Sequence, residues 1–99
     1  MAKIIYAPEA KLEIKEAAAY YEGCKNGLGE SFLRELELAI DDLSRSPFRW
    51  RRISRNFRRR LLKRFPYGVI YVADDDEIFI AAVMHLKREP GYWKKRIKK

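Results

Sequence analysis

The 99-residue chain has 47% hydrophobic residues, a net charge of +8 and one cysteine, Cys24. This length suits a single domain over residues 1–99, the hydrophobic content excludes a generally disordered chain, and a lone cysteine cannot form an internal disulfide. No apolar run approaches the roughly 20 residues that cross a bilayer, and the N-terminal apolar stretch is too short for a signal peptide. We therefore expect a cytoplasmic protein with no membrane partner.

The first part of the chain predicts a strand followed by two helices. Residues 3–6 form a short apolar run typical of a strand, and Pro8 then fits the first turn of a helix. Apolar residues at helical spacing predict that this helix extends to about residue 22, where a glycine-rich stretch ends it. A second helix is predicted over about residues 29–44, with one apolar stripe made of Phe32, Leu36, Ala39, Ile40 and Leu43.

The rest of the chain predicts strands joined by short turns. Three runs are rich in residues that favour β-structure: 58–65, 69–73 and 78–85. Pro66-Tyr67-Gly68 and Asp74-Asp75-Asp76 are the expected turns between them, and residues 89–96 predict a short terminal helix. The expected fold class is therefore α+β with the order βααβββ, in which a helical hairpin packs on an antiparallel sheet and a short helical tail follows.

Positive charge is concentrated in residues 43–73, which we call the cationic segment. It contains ten basic residues and no acidic one, whereas residues 1–42 contain nine acidic and five basic residues. Because such a block repels itself, it favours exposure to solvent or to a polyanionic partner, and Phe48, Trp50 and Phe57 add stacking surfaces. Nucleic acid, an acidic protein or both would fit. The alternative is a solvated face that protects a sheet edge.

Several short motifs, in this order, carry a resemblance to a known family. They are Tyr20-Tyr21, Leu28-Gly29-x-x-Phe32, Pro47, Arg60-Leu61-Leu62-Lys63-Arg64-Phe65-Pro66-Tyr67-Gly68-Val69-Ile70-Tyr71 and Ala82-Val83-x-His85-x-x-Arg88-x-Pro90-x-Tyr92-Trp93. Through them, and over almost its whole length, the chain resembles the RelE/ParE superfamily of toxins from type II toxin-antitoxin modules. The resemblance is closest to the ParE-like, plasmid-stabilisation type.

The resemblance implies a small basic toxin that a cognate antitoxin neutralises by folding a flexible segment onto its surface. ParE-like members poison DNA gyrase, whereas RelE-like members cleave mRNA in the ribosomal A site, and the shared scaffold does not choose between them. We expect a growth-arresting toxin nearer the ParE side that acts by binding a macromolecular target. A ribosome-dependent mRNA endoribonuclease is the first alternative, and a non-catalytic nucleic-acid-binding module is the second.

The ribonuclease alternative requires a proton acceptor, a proton donor and cations around the phosphate, without a metal. His85 is the only histidine and the natural proton carrier, and Arg64, Arg88 and Tyr92 complete the candidate catalytic set. A histidine that is only hydrogen-bonded at a sheet edge, and an aromatic pair Tyr92-Trp93 that covers one end of the core, are the structural alternatives. The basic strands lack the glutamate of RelE-like nucleases and carry arginine in place of lysine, which favours binding over catalysis.

Binding residues are expected mainly in the cationic segment. Candidates for contact with the target or with nucleic acid are Arg51, Arg52, Arg58, Arg59, Arg60, Lys63 and Arg64. The antitoxin is expected in a groove framed by the hairpin at Phe32 and by Arg58, Arg59 and Arg60. No cofactor and no metal ion are expected, because the three aspartates at 74–76 form a tight turn without further ligands at the required spacing.

Overall fold

The computed structural model describes residues 2–96 and consists of two helices packed on a five-stranded mixed sheet. The helices are α1, Pro8–Cys24, and α2, Leu28–Arg45. The strands are β1, Lys3–Tyr6; β2, Arg52–Ser54; β3, Phe57–Leu61; β4, Tyr67–Ala73; and β5, Glu77–His85. Residues 86–96, which we call the C-terminal tail, contain one 3-10 turn, Tyr92–Lys95. Within residues 2–96, no helix is long and apolar enough to span a membrane.

The strands lie in the order β1-β5-β4-β3-β2. The α+β class, the helical hairpin and the C-terminal meander are confirmed. The sheet is not wholly antiparallel, however, because β1 runs parallel to β5, with Ile4 opposite Ile78 and Tyr6 opposite Ile80. Parallel neighbours need a long crossover connection, and the helical hairpin supplies the first part of one.

Two predicted boundaries in the meander are wrong. The strand expected over residues 58–65 ends at Leu61, and Tyr67 and Gly68 already belong to β4 instead of forming a turn. The chain leaves the sheet early because the backbone amides of Lys63 and Arg64 donate to the Glu35 carboxylate of α2 instead of to a neighbouring strand. The short strand β2 was not predicted, and so the observed order is βααββββ.

The two faces of the sheet are covered by different parts of the chain. Tyr67 and Tyr71 of β4 face the helices, since the Tyr67 ring lies 5.1 Å from the Phe32 ring and the Tyr71 hydroxyl donates to the Pro47 carbonyl at 2.8 Å. We call this the helix side. Side chains alternate along a strand, so Phe57, opposite Val72, faces the other way. Its ring lies 4.7 Å from the Trp93 ring of the tail, and we call this the tail side.

The two helices approach each other closely at Gly29. A Cβ atom at this position would lie 2.5 Å from the Ala18 carbonyl oxygen and 3.0 Å from the Glu22 Cβ. Gly29→Ala is therefore expected to lower the free energy of unfolding by about 2 kcal/mol, because one helix must move to admit the methyl group. Urea unfolding measures this loss. Gly23→Ala is the control, since nothing lies within 4 Å there, and an equal loss in both variants would contradict the close approach.

Candidate functional site

Three consecutive arginines of β3 point to two different faces of the sheet. Arg58 and Arg60 pair in register with Tyr71 and Val69, which places both on the helix side. Arg59 lies between them and therefore projects to the tail side. The expectation that the three together frame one groove is wrong, because alternation along the strand separates their guanidinium groups.

Acidic residues of α2 neutralise part of the cationic segment. The Asp42 carboxylate accepts a hydrogen bond from the Arg60 guanidinium, and this bond lowers the pKa of Asp42 below its ordinary 3.8. The ion pairs between α2 and the cationic segment are Asp41 with Arg45 at 2.8 Å, Asp42 with Arg60 at 2.9 Å and Glu35 with Arg64 at 3.0 Å. The cationic segment contains no acidic residue, but the fold places Asp42 and Glu35 of α2 next to two of its arginines.

Arg58 and Arg60 support the fold of the residues before β2. Arg58 donates to the Trp50 carbonyl at 2.6 Å, and its guanidinium lies 5.3 Å from the centre of the Phe48 ring. The Arg60 guanidinium lies 5.4 Å from the centre of the Trp50 ring, and its side chain is only 14% exposed. Both arginines therefore stabilise the path from α2 to β2, which leaves them little freedom to contact a target.

The Glu35 carboxyl makes the free energy of unfolding depend on pH. Burial alone would raise its pKa, but hydrogen bonds from Arg64 and from the Lys63 amide outweigh burial and hold the pKa below the ordinary 4.5. As the pH falls, the unfolded chain takes up this proton first, so the stabilisation is complete above about pH 5 and is lost as the pH falls through the folded-state pKa. Glu35→Gln is expected to flatten the loss of unfolding free energy below about pH 5.

Urea unfolding at a series of pH values tests this expectation. Glu30→Gln is the matched control, because Glu30 is an exposed residue of α2 that pairs only with the exposed Arg34 in the described structure. A pH dependence in Glu35→Gln as steep as that of the unchanged chain would show that Glu35 does not control it.

Five of the predicted binding residues have no ion pair with any carboxylate of residues 2–96: Arg51, Arg52, Arg58, Arg59 and Lys63. Arg58 is bound by backbone carbonyls instead, which leaves the other four available to a partner. Two of them, Arg51 and Arg59, line a groove of about 350 Å³ together with Trp50, Ile53 and Leu61. The positive charge that is available for a partner is therefore greatest near β2 and β3, and it is smaller than the sequence suggests.

Phe32 does not present a surface to a partner. Its side chain is fully buried and contacts Tyr21, Phe65 and Tyr67 in an aromatic cluster beneath the hairpin. The expectation that Phe32 lines the antitoxin groove is wrong for this reason. The exposed apolar residues of α2 are Leu33 and Leu38.

The four candidate catalytic residues have separate structural roles. His85 Nδ1 accepts the Lys87 amide at 3.0 Å, and its ring meets the Tyr67 ring edge-on. Arg64 pairs with Glu35, as described above. Arg88 lies 3.6 Å over the Tyr92 ring. Burial and the Glu13 carboxylate raise the pKa of Tyr92 to about 12, so this phenol keeps its proton at neutral pH and cannot act as a base.

Glu13 of α1 holds the tail, and this role was not predicted from the sequence. Its carboxylate accepts the Val83 amide at 3.0 Å, Arg88 at 3.2 Å and Arg96 at 2.9 Å, and its side chain is only 10% exposed. One signal was available, because position 13 lies three residues after Ala10 and four before Ala17, both buried. A carboxylate on the buried face of an amphipathic helix implies a partner.

The basic residues without ion pairs and the single histidine lie in different surroundings. Within residues 2–96, no cluster of histidine, cysteine and acidic residues could hold a metal ion. The basic residues that lack ion pairs lie in and near β2 and β3, while the only histidine contacts an aromatic ring and a backbone amide. The chemistry that these contacts support is the attraction of an anionic partner.

Comparison with known proteins identifies the family. Residues 4–90 match the model of the ParE toxin of the type II toxin-antitoxin system, parDE. A solved structure of the chromosomal ParDE toxin-antitoxin system from P. aeruginosa is similar with a TM-score of 0.63 at 15% identity, over 87% of this chain and 97% of that chain, which shows a shared fold. No curated protein sequence matches the chain significantly. Since the family model covers most of the sequence, the chain belongs to the ParE family of type II toxins.

Proposed function

We propose that this toxin arrests growth in the cytoplasm by binding DNA gyrase, and that a cognate antitoxin neutralises it. The observation that carries the proposal is the state of the candidate catalytic residues. Arg64 pairs with Glu35 and Arg88 pairs with Glu13, although both arginine side chains are more than half exposed. His85 Nδ1 accepts the Lys87 amide, and burial raises the pKa of Tyr92 to about 12. What remains available is charged surface, which suits a binding toxin better than a self-contained nuclease.

The antitoxin contact is proposed at Arg59, on the tail side of β3. Arg58 and Arg60 were also expected to contact the antitoxin, but both support the fold on the helix side. An acidic antitoxin would be attracted to the unpaired charge near β2 and β3, and the attraction would weaken as salt screens it. Arg51, Arg52 and Lys63 are proposed to contribute to the same field.

The order in which syntheses fail after induction tests the target. The chain is expressed without an antitoxin, and the incorporation of labelled thymidine and labelled leucine is followed over time. A gyrase-binding toxin is expected to reduce thymidine incorporation first. Early loss of leucine incorporation with cut messages would contradict the proposal and support the RelE-like ribonuclease instead.

A further inference from the structure

The outer edge of β2 is an open end of the sheet. β2 is the last strand in the sheet order, and within residues 2–96 it pairs only with β3. An edge strand presents unpaired N–H and C=O groups that can pair with another extended chain. Charged residues often protect such edges from pairing, and the exposed Arg52 of β2 is suited to this role.

The groove beside this edge contains apolar side chains that edge protection does not require. Ile53 and Leu61 are 38% and 45% exposed, and both line the groove of about 350 Å³. Edge protection needs charge alone, whereas this groove combines two aliphatic side chains with Arg51, Arg59 and Trp50. The groove therefore offers a partner both apolar contact and positive charge.

Arg59 is held in place by the packing of its own stem. A Cβ atom at Gly68 of β4 would come within 3.1 Å of Arg59 Cγ and 3.2 Å of Arg59 Cδ, so the absence of a side chain at Gly68 makes room for this stem. The acids of α2 pair with other residues of the cationic segment, and the segment contains no acid of its own. Arg59 thus brings a positioned and unneutralised charge to the groove.

We propose that an extended, acidic segment of the antitoxin adds to the outer edge of β2 as a sixth strand. Its carboxylates pair with Arg51 and Arg59, and its apolar side chains contact Ile53 and Leu61. This inference rests on the antitoxin partnership proposed above, but it is independent of gyrase as the target. A peptide fits better than single-stranded nucleic acid, because a strand edge pairs with a peptide backbone and only one of the five residues that line the groove, Trp50, could stack on a base.

A synthetic peptide of alternating valine and glutamate, blocked at both ends, serves as the probe. Its affinity for the whole chain is measured by calorimetry at low salt, and hydrogen exchange then locates it. The peptide is expected to protect the amides of residues 52–54. The double variant Arg51→Glu with Arg59→Glu is expected to bind it about tenfold or more weakly.

Lys11→Glu with Lys15→Glu is the matched control, because it changes the net charge by the same amount on exposed positions of α1. It is expected to bind the peptide within about twofold of the unchanged chain. Thermal melting checks that each variant folds. If the arginine double variant does not fold, Arg51→Glu alone is measured, with an expected loss of about threefold because Arg51 is an exposed side chain.

Three outcomes would overturn the proposal: unchanged affinity in the arginine variants, protection of β1 in place of β2, or tighter binding of a single-stranded oligothymidine that displaces the peptide. A peptide with N-methyl groups on alternate amides separates strand addition from simple charge attraction, since strand addition requires the lost N–H donors. Each of these results leaves the gyrase target untouched, because that target is tested by growth arrest without an antitoxin.

Discussion

Replacing Trp93 with alanine is expected to lower the free energy of unfolding by about 4 kcal/mol. The indole is 2% exposed, its ring lies 4.7 Å from that of Phe57, and its N–H donates to the Met84 sulfur at 3.3 Å. Because the tail covers this side of the sheet and Trp93 is its buried residue, loss of the indole opens the core to water. Chemical denaturation followed by circular dichroism measures the change.

Trp50→Ala is the matched control for this prediction. The side chain of Trp50 is only partly buried and lies beside Arg49 and Arg60, so its loss is expected to cost about 1 kcal/mol. A Trp93 variant no less stable than the Trp50 variant would show that the tail does not belong to the core. The structural interpretation of the aromatic pair would then fail for Trp93.

Replacing Glu13 with alanine is expected to cost about 3 kcal/mol and to loosen the tail. The substitution leaves the Val83 amide, which lies beyond the part of β5 that pairs with β1, without its acceptor. It also removes the carboxylate that Arg88 and Arg96 share. The Arg96 pair carries most of the expected effect, because Arg96 is 13% exposed, whereas the more exposed Arg88 is better screened by water. Denaturation measures the stability, and the rate of trypsin cleavage after Lys94 and Lys95 measures the loosening.

Glu16→Ala provides the comparison, because Glu16 lies on the exposed face of the same helix. Its cost is expected to stay within about 0.5 kcal/mol. If the two variants were equally stable and equally resistant to trypsin, the Glu13 carboxylate would not hold the tail.

The helices were predictable from the sequence because their apolar stripes are regular. Phe32, Leu36 and Leu43 repeat at helical spacing and are all buried, and the predicted ends of α2 differ from the observed ends by one residue. β2 was not predicted because its three residues, two of which are exposed, show no alternating apolar pattern. The parallel pairing of β1 with β5 depends on where the helical hairpin places the later strands. The local spacing of apolar residues carries no information about that placement.

The candidate site was harder to predict, because charge in a sequence does not reveal its partners in space. Ten basic residues without an acid suggested one surface, yet strand alternation separates Arg59 from Arg58 and Arg60. Carboxylates of α2 also pair with three of the ten, Arg45, Arg60 and Arg64. Glu13 and Arg96, which form an ion pair, are more than 80 positions apart in the sequence. Such contacts exist only once the helices are packed on the sheet.

These contacts give the tail of this ParE-family toxin a structural role. Trp93 covers the tail side of the sheet, and Glu13 fixes the segment that contains Arg88, Tyr92 and Arg96. Arg88 and Tyr92, two of the four residues that the ribonuclease alternative would use, are thereby engaged in holding the tail. The central claim is that the toxin acts by binding a target and has no proton-transferring site of its own.

Growth arrest by a His85→Asn variant tests this claim most directly. An asparagine oxygen can replace His85 Nδ1 as the acceptor of the Lys87 amide, so the turn is preserved while the titratable ring is removed. The variant is expected to fold, to arrest growth as fully as the unchanged toxin, and to reduce thymidine incorporation first. A folded variant that no longer arrests growth would contradict the claim and assign proton transfer to His85.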